Sequence, residues 1–210
     1  MFITILTTSI TESGARAIPT TNISVGLTEV LKNDVQTLRN LVQDTWDNYT
    51  IERFNNSRHF MNHQTHPDLV QHTEAFTRNL SVTKHFAEYF SDLISYTAGM
   101  KCVNDTEELL SLPNNFMDAC RDIIRAIIHV KHSIHNYLQY NGEGSLLTNI
   151  TGGEFNCSGL SDSVSDVNRI DQNAIILDNF SLFMSVMYND VIKLHACTDK
   201  PEAYAVCQSV

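Results

Sequence analysis

Apolar and polar positions alternate along most of this chain at spacings of four and three. A first stripe runs through Leu31, Val35, Leu38, Val42, Thr45 and Tyr49. A second runs through Leu69, Thr73, Phe76, Leu80, Thr83, Ala87, Phe90, Ile94 and Thr97. Phe116, Cys120, Ile123, Ile127, Val130, Ile134 and Tyr137 form a third, and Leu177, Phe180, Met184, Met187, Val191 and Leu194 a fourth. That spacing sets each group on one face of a helix. It predicts helices over about 24–53, 68–98, 114–140 and 171–196. Punctuation residues suggest the ends. Asp68 caps the second helix and Gly99 ends it. Asn114 or Asn115 caps the third and Asn141-Gly142 ends it, and Asp171 starts the fourth.

Four such faces close one core, so the expected fold is all-α, a four-helix bundle with long helices. The chain has only 8 Gly and 4 Pro, too few turn residues for many short hairpins. Residues 18–210 read as a single helical domain in which 141–170, rich in Gly, Ser, Asn and Asp, is one long loop. That loop can run the length of the helices, and residues 54–67 can just span them when extended. Up-up-down-down and up-down-up-down connections both satisfy these lengths.

Composition narrows the setting. The net charge is −10, and no Lys/Arg run is present. Such a chain repels phosphate, which argues against nucleic acid and against anionic membrane surfaces as partners. Residues 1–17 hold a short apolar run, Phe2 to Ile10, followed by Ala15-Arg16-Ala17, a small-X-small cleavage pattern. They read as an intact or partial signal peptide. Asn-X-Ser/Thr sequons begin at Asn22, Asn48, Asn55, Asn79, Asn104, Asn149, Asn156 and Asn179. Chance supplies about three in such a composition, so the excess points to N-glycosylation and an extracellular, secreted protein. No uninterrupted apolar stretch near 20 residues follows residue 18, so no membrane insertion is expected.

With these features in place, the layout resembles the long-chain helical cytokines, nearest the leukaemia inhibitory factor and ciliary neurotrophic factor group. The resemblance covers about residues 22–197. Leu27 to Thr50, followed by Ile51-Glu52-Arg53-Phe54, looks like that group's first helix ending in an aromatic. It implies a monomeric ligand that joins two or more cell-surface receptor proteins. The faces implied are the exposed side of helices one and four, one side of helices one and three, and the start of helix four. On helix one the receptor-binding candidates are Lys32, Gln36, Arg39, Gln43 and Asp47, which project away from the core stripe.

Five cysteines, Cys102, Cys120, Cys157, Cys197 and Cys207, are disulfide candidates in an oxidising compartment. The odd count leaves one thiol free, one with a missing partner, or one linking two chains as a dimer. A Cys120–Cys197 bond would exclude the two-crossover connection, whereas Cys102–Cys120 and Cys197–Cys207 are neutral. Cys120 also reads as a buried free thiol on the third core stripe.

Among nine histidines, His129, His132 and His135 share one helix, and His59, His63, His66 and His72 cluster before and within the second. No Cys-X-X-Cys or His-Glu-X-X-His spacing accompanies them, so neither a metal site nor a cofactor is expected. No nucleophile elbow, phosphate loop or dinucleotide fingerprint is present, and the chain does not read as an enzyme. Two further functions fit the pattern. One is a secreted carrier of a small apolar ligand, held by Phe180, Phe183, Met184 and Met187. The other is the adhesive ectodomain of a surface glycoprotein.

Overall fold

The computed structural model describes residues 20–55, 66–69, 82–110, 112–150, 155–161 and 163–199. Four long helices fill most of that length: α1 Thr20–Phe54, α2 Val82–Leu109, α3 Met117–Tyr140 and α4 Asp166–Asp199. Short 3-10 turns at Gly144–Leu147 and Ser158–Leu160 lie between α3 and α4. The described residues contain no strand. Residues 1–17, with the signal-like run, lie outside them, as do Asn79, Cys207, His59, His63, His72 and the Asn22 side chain.

The extensive helix–helix interfaces are α1–α3, α1–α4, α2–α3 and α2–α4. Individual contacts give the direction of each. Along α1 and α4, Thr28 meets His195, Gln43 meets Ser181 and Tyr49 meets Ile170, so the pair is antiparallel. Along α1 and α3, Asp34 meets Ser133 and Tyr49 meets Phe116. Phe86 of α2 meets Tyr137 of α3, and Phe90 meets Lys131. Along α2 and α4, Tyr89 meets Asp190, Tyr96 meets Asn179 and Thr106 meets Asn173. Each of these pairs is antiparallel as well.

Every residue of the first, third and fourth stripes is buried in the core. Aromatic rings thicken its centre: Tyr96 stacks on Phe180 with centroids 4.4 Å apart, and Phe183 packs against both Tyr89 and Tyr96. The second stripe is set one position off. In α2 the large buried apolar side chains are Phe86, Tyr89, Leu93, Tyr96, Met100 and Val103; of the predicted stripe Ala87 is buried as well, while Phe90, Ile94 and Thr97 lie half-buried on the flank. Both sets have helical spacing. The tyrosines belong inside because each hydroxyl reaches a partner on α4, Asp190 for Tyr89 and the Asn179 carbonyl for Tyr96.

Three helix boundaries depart from the sequence expectation. α2 does not stop at Gly99 but continues to Leu109. Gly99 is a packing notch: a Cβ there would lie 3.2 Å from Ile176 Cγ2 and 3.3 Å from Phe155 Cε2. A side chain there would force Ile176 and the Phe155 ring to give way by a few tenths of an ångström. α4 starts at Asp166 rather than Asp171. Ser165 Oγ accepts the Asn168 N–H at 3.3 Å as its N-cap, and Arg169 donates to the Gly159 and Ser161 carbonyls and to Asp166. The N-cap of α3 is Phe116, without a side-chain bond, rather than Asn114 or Asn115. α3 ends as expected at Asn141-Gly142, where Gly142 takes a φ of 75°.

By length and apolar content α4 meets the requirement for a membrane span. About half of that apolar window is buried in the core, Val167, Leu182 and Ile192 are exposed, and the helix also carries buried Arg169, Asn173 and Asp190.

Candidate functional site

The most elaborate polar cluster lies where the C-terminal ends of α1 and α2 meet the N-terminal ends of α3 and α4. Glu107 is its centre and is fully buried. Tyr49 Oη donates to Glu107 Oε1 at 3.1 Å and Asn173 Nδ2 donates to the same oxygen at 3.0 Å. Arg53 Nη2 pairs with Oε2 at 2.8 Å and also donates to the Asn114 carbonyl. Thr106 Oγ1 bonds Asn173 Oδ1 at 2.6 Å. The Arg53 guanidinium packs on the rings of Tyr49 and Phe116, 5.6 and 5.3 Å from their centroids. All four helices or their leading segments contribute. Burial, then the charge of Glu107, pushes the Tyr49 hydroxyl far above its ordinary pKa. Three donors reach the two Glu107 oxygens, so the arrangement clamps the helix ends together.

Cys120 sits beside this cluster, fully buried and free. Burial, with the Glu107 charge added, drives its thiol well above the usual range, so it is chemically inert. The bonded pair is Cys102–Cys157, with Cα atoms 5.6 Å apart, and not Cys102–Cys120. Cys102 lies inside α2 and Cys120 points into the core, whereas Cys157 arrives on the segment before α4. Cys197 is also disulfide-bonded. Around Cys157 the chain is pinned further. The Phe155 ring stacks on buried His66 at 4.6 Å, and the Asn156 N–H donates to Asp68 at 2.9 Å. Burial lowers the His66 pKa, against a smaller opposing effect of Asp68.

The five candidates on α1 divide. Gln36 is exposed, and Lys32 and Asp47 are half-buried. Arg39 and Gln43 turn toward α4: the Arg39 guanidinium lies 4.8 Å from the Tyr188 ring centroid, and Gln43 Oε1 accepts from Ser181 at 2.8 Å. These two are half-buried and each contacts α4. Their position in the helix pattern suggests exposure, but the stripe runs along the α1–α4 seam.

Of the sequon asparagines, Asn48, Asn55, Asn149 and Asn156 are exposed and Asn104 is half-buried. Asn179 is 3% exposed and its Nδ2 donates to the Ile175 carbonyl at 2.7 Å. The fold leaves no room for a glycan there, which removes Asn179 from the glycosylation candidates. His129, His132 and His135 are exposed on α3. Phe180, Phe183, Met184 and Met187 are buried against Tyr89, Tyr96 and the other core side chains. Compared with protein families, with curated proteins and with solved structures, the chain matches none.

Proposed function

We propose that this chain is a secreted glycoprotein ligand that acts as a monomer on a cell-surface receptor protein, in the manner of a helical cytokine, and is not an enzyme. The observation that carries the reading is helix direction. α1 and α2 each run antiparallel to both α3 and α4, and the C-terminal ends of α1 and α2 meet at Glu107. Two parallel helices in succession, followed by two returning ones, make an up-up-down-down four-helix bundle. This connection needs two long crossovers, one between α1 and α2 and one between α3 and α4, and it is the layout of several helical cytokine and hormone bundles. The exposed sequons and the Cys102–Cys157 bond support an oxidising, extracellular setting. On α1, Gln36 is the exposed residue of the candidate face, with Lys32 half-buried one turn before it.

The test uses the chain made by animal cells, labelled and applied to a panel of cell types. Saturable binding is expected, competed by unlabelled chain, abolished by trypsin treatment of the cells and weakened by Lys32→Glu with Gln36→Ala. Retention of the chain inside the cell, or binding that survives trypsin, would overturn the proposal.

A further inference from the structure

From Arg125 to Tyr140, α3 carries no carboxylate, although the chain as a whole has a net charge of −10. Over that length α3 packs on α2, and the two leave a groove of about 340 Å³. Among the described residues it is lined by Phe90 of α2 and by Ile128, Lys131, His132 and His135 of α3. Its apolar surface comes from Phe90, which packs on the core from the flank, and from Ile128, which is 50% exposed. Lys131 Nζ lies 4.9 Å from the Phe90 ring centroid.

Lys131 has no carboxylate partner among the described residues. The other cations of this helix differ: Arg121 and Arg125 pair with Asp118 and Asp122 at 2.8 and 2.6 Å. Burial also lowers the Lys131 pKa, so this ammonium is partly stripped of water. A desolvated cation on an aromatic face is stabilised only in part by the ring quadrupole. An anion that displaced the remaining water would form a charge-assisted hydrogen bond there. Among the described residues that line the groove none is a carboxylate, and its volume falls in the range of small-ligand sites.

We propose that the α2–α3 groove binds a small carboxylate amphiphile, with the carboxylate on Lys131 and the apolar chain along Phe90 and Ile128. His132 and His135 line the same groove beside Lys131. The site is separate from the α1 face and stands whether or not the chain engages a receptor.

Decanoate is the probe, measured by equilibrium dialysis against the intact, disulfide-bonded chain. One saturable site is expected, with decanol and decyltrimethylammonium each bound at least about tenfold more weakly. Lys131→Gln should reduce decanoate affinity by about tenfold or more, and Lys131→Arg should retain it. Ile128→Asp should abolish binding, while Arg125→Gln, outside the groove, should leave it unchanged. Equal binding of decanoate and decanol by the unaltered chain would overturn the proposal, whatever the variants do. So would full decanoate affinity in a folded Lys131→Gln protein, or the absence of saturable binding.

Discussion

At the scale of single residues, Glu107 has the largest consequence. A fully buried carboxylate is tolerated because Arg53, Tyr49 and Asn173 supply its donors. Replacing it with alanine leaves the Arg53 guanidinium buried and without its counter-ion. Glu107→Ala should therefore lower stability by about 3–5 kcal/mol, measured by urea unfolding. Glu107→Gln keeps the acceptor for Tyr49 and Asn173 but loses the charge, so it should fall between wild type and Glu107→Ala. Equal stability of wild type and Glu107→Ala would show that the cluster is not a clamp. His66 gives a second residue-scale expectation, now in pH. Its folded-state pKa lies below the ordinary value near 6.5 because burial disfavours the imidazolium. The unfolded chain thus takes up the proton first as pH falls. The stability contribution of neutral His66 is complete above about pH 6.5 and is lost as pH drops toward the folded-state pKa. Thermal melts at pH 7.5 and 5.5 should show a smaller pH-dependent loss in His66→Gln than in the unaltered chain.

At the scale of elements, the segment before α4 is held to α2 by two contacts, the Cys102–Cys157 bond and Phe155 in the Gly99 notch, and to the 66–69 turn by a third, Asn156 on Asp68. The disulfide closes a loop with a sequence separation of 55 residues. Chain entropy alone then gives it about 4 kcal/mol, and engineered or native bonds commonly deliver about 2–4. Cys102→Ser should cost that much in urea unfolding of the oxidised protein, without changing the helix content seen by circular dichroism. The sequence carried the inward face clearly in α1, α3 and α4, where every residue of the expected stripe is buried. It was ambiguous in α2, where Phe86, Tyr89, Phe90, Leu93 and Ile94 offer two adjacent stripes of equal spacing. Which one faces inward is decided by hydroxyl partners on α4, about ninety residues away in sequence and invisible to periodicity. Gly99 misled for a related reason. A glycine that ends a helix and one that admits a neighbouring ring look alike until the ring is placed. The pairing of Cys102 with Cys157 likewise depends on where a loop without helical pattern returns to the core.

At the scale of the whole molecule, the surface available to glycans follows from how the four helices share the core. Asn48 and Asn55 lie at the C-terminal end of α1, and Asn156 lies beside the disulfide at the corresponding end of α2. All three are exposed, as is Asn149 between α3 and α4. Asn179 satisfies the same local motif, yet it sits mid-helix in α4 beside Tyr96, whose hydroxyl bonds the Asn179 carbonyl at 3.1 Å. A glycan attached there during synthesis would have to be buried with the core or prevent α4 from docking on α2. In folded protein recovered from animal-cell medium, Asn48, Asn55, Asn149 and Asn156 should carry glycans and Asn179 should carry none. Enzymatic deglycosylation in heavy-oxygen water converts each occupied asparagine to a mass-shifted aspartate, and peptide mapping then reads every site. A glycan on Asn179 in folded, monomeric protein would mean that α4 presents that side chain outward. The α2–α4 interface, with its Tyr89–Asp190 and Tyr96–Asn179 bonds, would then be wrong. An unmodified Asn179 beside an occupied Asn55 would tie the glycan pattern to this helix packing, because both are Asn-X-Ser sequons and differ in burial.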